Sequence, residues 1–157
     1  MIQRGSSADI AVLVELMAEF YAESGYPLDR DWAAASFGRL LGDGDRGAAW
    51  IAQACGEPAG HVVLVLRHSM EFGGLTGIID DLFVRPPFRR QGIGTALVGV
   101  AFEECRRLGA AAVEVEVGVD NPAAGNLYRS FGLAANDDGR RSLAVRLAEG
   151  GDARGGR

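Results

Sequence analysis

The first third of the chain has the apolar spacing of two amphipathic helices. The apolar residues of the first helix recur three or four positions apart, at Ile10, Leu13, Met17, Phe20 and Tyr21. Ser6 and Asp9 have the spacing of a capping box, so this helix is predicted to begin there, and the Gly-Tyr-Pro that follows ends it. A second helix is predicted to begin at Asp29 or Asp31, either of which can cap it, and to end at Gly42.

From residue 48 onward, alternation of apolar and polar positions favours strands. Strands are predicted over residues 1–4, 48–52, 60–66, 75–84, 113–117 and 141–147. Two more helices are predicted among them, one with an apolar face from Leu97 to Leu108 and one that Asn121 caps and Gly132 ends. This order predicts an α+β (mixed α/β) fold, in which about four helices flank a largely antiparallel sheet of about six to seven strands.

Composition indicates one globular domain without structural cross-links. The chain has 157 residues, of which 48% are hydrophobic and 24% charged, which suits a single core. We expect the domain to span residues 1–148 and the glycine-rich residues 149–157 to form a disordered tail. Two cysteines and two histidines are too few for a disulfide framework or a zinc site, so no metal is expected.

The net charge of the chain limits the kinds of ligand and partner that we expect it to bind. A net charge of −5 gives no basic field for nucleic acid and favours a cationic substrate over an anionic one. No run approaches the ~20 apolar residues of a membrane span, and acidic residues interrupt the N-terminal apolar positions that a signal peptide would need. We therefore expect a cytoplasmic protein that binds neither nucleic acid nor membrane.

The sharpest motif is the Arg-Arg-Gln-Gly-Ile-Gly-Thr of residues 89–95, between a predicted strand and a predicted helix. Free N–H groups at a helix start, glycines that admit close approach and flanking arginines favour an anion. A Walker loop is excluded because no Gly-Lys-Ser/Thr follows, and the dinucleotide fingerprint fails because Leu97 takes its third glycine position. A diphosphate other than an NTP or NAD is indicated, although the glycine pair alone is equally consistent with a helix entry that binds nothing.

This loop, with a second motif, resembles the GNAT N-acetyltransferase superfamily. Residues 89–94 are similar to the family's Gln/Arg-x-x-Gly-x-Gly/Ala loop, and a strand over residues 80–86 precedes them at the expected distance. Residues 121–132 are similar to its Asn…Leu-Tyr…Phe-Gly helix, and the element order matches along residues 1–147. The resemblance implies a GNAT-like fold whose splayed strand pair binds acetyl-CoA as co-substrate, with an amine acceptor.

The resemblance also implies which residues hold the cofactor. The strands that carry Leu82 and Val117 would part to admit the pantetheine arm, which bonds to one strand's backbone, while the loop N–H groups take the pyrophosphate. The implied cofactor-binding residues are Leu82, Phe83, Val84, Arg89, Arg90, Gln91, Gly92, Ile93, Gly94, Thr95 and Asn121. Asn121 is at least as well explained as the N-cap of the last helix.

Three residues are candidates for catalysis. An alkylamine with a pKa of ~10.4 must lose a proton before it attacks. Asp80 and Asp81 are neighbours on a predicted strand, so alternation predicts that they face opposite sides and form no paired dyad. Similarity to the spermidine/spermine acetyltransferases favours Asp80 as the base, acting through water, and Asp81 as the residue that orients the substrate; either could instead pair with a surface arginine. Tyr128 matches the family's tyrosine that protonates the CoA thiolate, with a core aromatic as the alternative.

The acceptor region is the least defined. Candidate substrate-binding residues are Phe20, Tyr21, Glu23, Tyr26 and Glu116. The leading hypothesis is direct attack of a primary amine on acetyl-CoA in a ternary complex, with a small amine or polyamine as acceptor. The alternatives are a protein or peptide amine, or a non-catalytic acyl-CoA sensor, and the family resemblance also suggests a homodimer.

Overall fold

A computed structural model describes residues 1–118 and 120–135. Within them lies one five-stranded sheet in the order β1 to β5. The strands are Ile2–Arg4, Gly47–Ala54, Glu57–Ser69, Gly74–Val84 and Ala112–Val115. All neighbours are antiparallel except β4 and β5, which are parallel. The predicted fold class is confirmed, with a strand count slightly below the predicted one; the predicted strand over residues 141–147 and the predicted tail lie outside the described residues.

Four helices in the described part of the chain flank this sheet. They are α1 (Ile10–Glu23), α2 (Arg30–Gly42), α3 (Ile93–Arg107) and α4 (Pro122–Ser130). The capping box of Ser6 and Asp9 starts a short 3-10 turn that leads into α1. Asp29, and not Asp31, caps α2, because its carboxylate accepts the Trp32 N–H at 3.0 Å.

The helices form two layers, one on each face of the sheet. Leu13 of α1 and Val63 of β3 belong to the core cluster between the sheet and α1 and α2. Leu97 of α3 and Leu64 of β3 belong to the cluster under α3 and α4. Val63 and Leu64 are adjacent and face opposite layers, as alternation along a strand requires. The sheet is therefore covered on both faces.

Two strands end elsewhere than predicted. β3 runs to Ser69, because its pairing with β4 continues to the Ser69–Gly74 pair, so His68 is a strand residue and not a loop residue. β5 ends at Val115 and not at residue 117, because its parallel pairing with β4 stops there. Glu116 and Val117 lie beyond the strand end and are exposed.

β4 changes its pairing on both sides at one place. On the β3 side, Ile79 pairs with Leu64 and Asp81 with Val63, so Asp80 is the extra residue of a β-bulge. On the β5 side, the last pair is Ile79 with Val115. Beyond Ile79 the two parallel strands are no longer paired, so the last residues of β4 form an open sheet edge at the carboxyl ends of both strands.

Candidate active site

A cleft of about 480 Å³ lies along this open edge of β4. It is bounded by the end of β4, by the loop that enters α3, by the start of α4 and by the end of α1. The lining residues are Phe20, Glu23, Leu82, Phe83, Val84, Arg89, Arg90, Gly92, Gly94, Thr95, Asn121, Ala123, Ala124 and Leu127. Nine of the eleven predicted cofactor-binding residues therefore meet in one cavity.

The loop before α3 has the backbone of an anion-binding site. Gly92, the N-cap of α3, has φ +81°, and Arg90 has φ +63°, so the chain turns sharply before the helix. The first helical hydrogen bond runs from the Ala96 N–H to the Gly92 carbonyl at 3.0 Å. The N–H groups that precede Ala96 in this turn thus have no place in the helical ladder and lie at the N-terminal end of the helix, where the dipole is positive. A phosphate group is the chemistry that suits them.

Arg89 connects the loop before α3 to the end of α1 along the cleft wall. Its Nε donates to the Val84 carbonyl at 2.8 Å, and its Nη2 donates to the Glu23 carboxylate at 2.6 Å. The guanidinium also stands over the Phe83 ring, 5.8 Å from its centroid. This side chain is therefore held against the cleft wall by three contacts.

Two predicted members of the loop do not line the cleft. The Gln91 side chain donates to the Pro87 carbonyl at 3.1 Å, so it braces the turn from outside. Ile93 is partly buried and packs against the core cluster beneath α3 and α4. Asn121 is the N-cap of α4, because its carbonyl oxygen accepts the Ala124 N–H at 3.1 Å, and it also lines the cleft.

A second, smaller cavity of about 200 Å³ lies beside the cleft, between the sheet and the layer of α1 and α2. Its lining residues are Met17, Tyr21, Trp32, Ser36, Phe37, Leu40, Val63, Val65, Asp80 and Asp81. We call it the acidic cavity. It borders the cleft through consecutive residues of β4, because Asp81 lines one cavity and Leu82 the other.

Both aspartates line the acidic cavity, so the prediction that they face opposite sides is wrong. The bulge at Asp80 interrupts the alternation on which that prediction rested. Asp80 is exposed, whereas Asp81 is only 5% exposed. Among the residues that the structure describes, no ion pair involves Asp80, and its pairing with a surface arginine stays an open alternative.

Tyr128 lies on α4, 7% exposed, in the core cluster beneath α3 and α4. Burial, together with the negative charge of Asp81, raises the pKa of Tyr128 to about 12. The phenol therefore keeps its proton across the physiological pH range and is a donor and not a base. Tyr128 lines neither the cleft nor the acidic cavity, and its electrostatic interaction with Asp81 is what links it to the acidic cavity.

The predicted substrate-binding residues separate into three groups. Tyr21 lines the acidic cavity, and Phe20 and Glu23 line the cleft instead. Tyr26 lines neither cavity and packs edge-on against Tyr21, with ring centroids 6.4 Å apart. Glu116 lines neither cavity and is exposed beyond β5. Tyr26 and Glu116 therefore lie outside both cavity linings, and their role in substrate binding stays a prediction.

Sequence reasoning missed most of the acidic cavity. The residues that it did not select are Met17, Trp32, Ser36, Phe37, Leu40, Val63 and Val65. Six of these seven are apolar and occupy the inner faces of helices or strands, so the periodicity identifies them as core. No sequence signal distinguishes an apolar residue that lines a cavity from one that fills the core.

Two further properties concern the whole described part of the chain. None of its helices combines the length and the apolar character that a membrane span requires. It also contains no group of three histidine, cysteine or acidic residues arranged to hold a metal ion. The cleft and the acidic cavity are thus its main candidates for chemistry.

Comparison with known proteins agrees with this geometry. A model of the acetyltransferase (GNAT) family matches residues 11–133. An uncharacterized N-acetyltransferase of Methanocaldococcus jannaschii is 29% identical over 141 residues, which are 84% of this chain. The chain spans 59% of the length of that curated relative.

Solved structures share the fold over nearly the whole chain. An integron cassette protein from the mobile metagenome of Cole Harbour salt marsh is 38% identical, with a TM-score of 0.82, and the match covers 94% of this chain and 90% of the other. An aminoglycoside N-acetyltransferase in complex with CoA has a TM-score of 0.77 at 19% identity and covers 93% of each chain, a likeness of fold alone. The chain belongs to the acetyltransferase (GNAT) family.

Proposed function

We propose that this protein is an N-acetyltransferase that moves the acetyl group of acetyl-CoA to a primary amine by direct attack in a ternary complex. The observation that carries the proposal is that two cavities adjoin each other along β4. Asp80 and Asp81 line the acidic cavity, and the cleft begins at the next residue, Leu82. One suits an anionic, elongated cofactor and the other suits a cation. Their common border is where an amine and a thioester would meet.

The cleft fits acetyl-CoA on three grounds. The α3 N-terminus and its loop offer N–H groups for a pyrophosphate. The last residues of β4 have no β5 neighbour, so their backbone is available for an arm that bonds like an added strand. The lining combines apolar side chains with arginines, which suits an arm with a phosphorylated end. Bound there, acetyl-CoA supplies an activated acetyl group as its thioester.

The acidic cavity supplies the proton acceptor. An ammonium attracted by Asp81 lies beside Asp80, which is exposed and can take the amine proton through a water molecule. The neutral nitrogen then forms a bond to the acetyl carbon, the carbon–sulfur bond breaks, and the nitrogen gives its second proton to water to become the amide. The electron pair of that bond leaves on sulfur as a thiolate.

Tyr128 returns a proton to that thiolate. Its raised pKa keeps the phenol protonated until a strong base forms beside it, and the charge of Asp81 opposes an early loss of the proton. Amine deprotonation and sulfur protonation then occur on opposite sides of the β4 edge. No covalent enzyme intermediate is needed, and neither Cys55 nor Cys105 lines the two cavities.

The first test measures acetyl-CoA binding by calorimetry and thiol release with a panel of amines. Saturable binding with amine-dependent release supports the proposal. Binding without release, with every class of amine in the panel, would favour the sensor alternative, and absence of binding would refute the cofactor assignment. A protein or peptide amine as acceptor, a homodimer and a cytoplasmic location stay predictions, which lysine peptides in the panel, light scattering and cell fractionation test in turn.

A further inference from the structure

The charge of the acidic cavity comes from one side. Asp80 and Asp81 both lie on β4, at the border with the cleft, and none of the described residues that line the cavity is basic. A ligand's cationic group is therefore drawn toward this border. A ligand carboxylate would meet two like charges and no counter-charge among the described lining residues.

The rest of the lining is almost wholly apolar. Ser36 and the polar atoms of Tyr21 and Trp32 are the exceptions among side chains contributed by α1, α2 and β3. A second ammonium placed on that side would lose its hydration against aliphatic and aromatic groups. The aromatic rings, in contrast, provide large apolar contact and can attract a cation by their faces.

The size of the cavity sets a further limit. At about 200 Å³ it is smaller than the ~300–1,000 Å³ of pockets that bury drug-sized ligands. A sugar-sized or peptide-sized acceptor would leave most of its bulk outside. A short body that fills the apolar side, with its amine at the β4 border, matches the volume and the polarity together.

We propose that the acceptor is a small primary amine with a single cationic group and an apolar, preferably aromatic, body. This inference rests on the proposed acetyl transfer and concerns the substrate class of the same site. It selects against polyamines, which carry further cations, and against amino acids, which carry a carboxylate.

The test uses the full chain and 2-phenylethylamine as probe, and has a readout independent of turnover. Trp32 lines the acidic cavity, whereas Trp50 belongs to the core cluster on the other face of the sheet, so a ligand-induced change in fluorescence should come from Trp32. We expect 2-phenylethylamine to change the fluorescence of the wild type and not that of Trp32→Phe. In thiol release, its kcat/KM should exceed those of spermidine and of phenylalanine about tenfold or more.

A pair of ligands that match in size and differ in charge separates the contribution of the carboxylates from that of the apolar cavity walls. Asp80→Asn, at an exposed position that should tolerate the change, is expected to weaken 2-phenylethylamine binding about tenfold and to leave binding of the neutral 2-phenylethanol unchanged. Asp45→Asn, an exposed loop substitution remote from both linings, is the matched control and should change neither.

The outcomes distinguish this inference from the proposed function. Fluorescence binding of 2-phenylethylamine without thiol release, in protein that binds acetyl-CoA, would support the acceptor class and contradict the transfer reaction. Efficient release with spermidine or phenylalanine, equal to or above that with 2-phenylethylamine, would overturn the acceptor class and leave the transfer standing. A fluorescence change that persists in Trp32→Phe, or no response to the probe, would overturn the cavity assignment.

Discussion

Replacing Tyr128 with phenylalanine separates catalysis from folding, because the ring stays and only the hydroxyl is lost. The side chain is 7% exposed in the core beneath α3 and α4, so the ring provides nearly all of its packing. Loss of the hydroxyl should change the free energy of unfolding by about 1 kcal/mol or less. Loss of a proton donor should lower kcat about 100-fold, with acetyl-CoA affinity unchanged.

The proton-donor role of Tyr128 also predicts how kcat depends on pH. With a pKa of about 12, Tyr128 stays protonated up to pH 10.5, so the wild-type kcat at saturating acceptor should not fall through this tyrosine's titration. A tyrosine with the ordinary pKa of 10.0 would lose about half of its donor form at pH 10. Asp81→Asn removes the smaller of the two causes that raise the Tyr128 pKa, namely the negative charge of Asp81. The fall of kcat at alkaline pH should therefore begin at a lower pH, while burial keeps the Tyr128 pKa above its ordinary value.

The assay is thiol release in parallel with calorimetric titration of acetyl-CoA and urea unfolding. Tyr26→Phe is the matched control, because the proposed reaction gives the Tyr26 hydroxyl no part, and it should keep kcat within about twofold. A Tyr128→Phe enzyme with near wild-type kcat would refute the proton-donor role. A parallel loss of stability and acetyl-CoA binding would instead make Tyr128 a structural residue.

Three further substitutions test single contacts. Glu104→Gln should lower the free energy of unfolding, measured with urea at neutral pH, by about 1–2 kcal/mol. Hydrogen bonds from two half-exposed arginines lower the Glu104 pKa from 4.5 to about 2. The wild-type advantage is therefore present above pH 4.5 and is lost as the pH falls toward 2. Gly77→Ala should lower the free energy of unfolding by about 1–3 kcal/mol, because its added Cβ would clash with Cys105 Sγ; an unchanged urea midpoint would contradict the packing. Glu23→Gln should tighten acetyl-CoA binding about two- to fivefold by calorimetry, because it releases Arg89 and removes a negative charge from the cleft; weaker binding would show that the ion pair supports the site.

Periodicity predicts the elements of this fold well because their causes are local. The capping side chains of Asp29 and Asn121 and the apolar faces of the helices are visible in short windows of sequence. Strand ends are harder, because they depend on a partner strand. β5 stops at Val115 because β4 diverges after Ile79, and nothing within residues 112–117 encodes that divergence.

The parts of the candidate site that depend on local backbone conformation could be predicted from the sequence, and the parts that depend on tertiary contacts could not. The loop before α3 carries its glycines in sequence, so Gly92 and its neighbours could be selected directly. The acidic cavity is made by tertiary contact between α1, α2 and β4, so Trp32 and Phe37 were indistinguishable from core residues. The prediction of which sheet face Asp80 occupies was wrong for a third reason. A β-bulge shifts every face assignment that is made by counting residues along a strand.

The geometry of α1 explains how the two cavities keep a fixed relation. Phe20 faces the cleft and the adjacent Tyr21 faces the acidic cavity, with ring centroids 5.8 Å apart in an edge-on contact. One residue before Phe20, the Glu19 carboxylate accepts hydrogen bonds from Arg85 at 2.8 Å and 2.6 Å, and Arg85 directly follows β4. Since α1 is tied to the end of the strand that carries both aspartates, one helix and one strand together set the separation of a bound amine from a bound thioester.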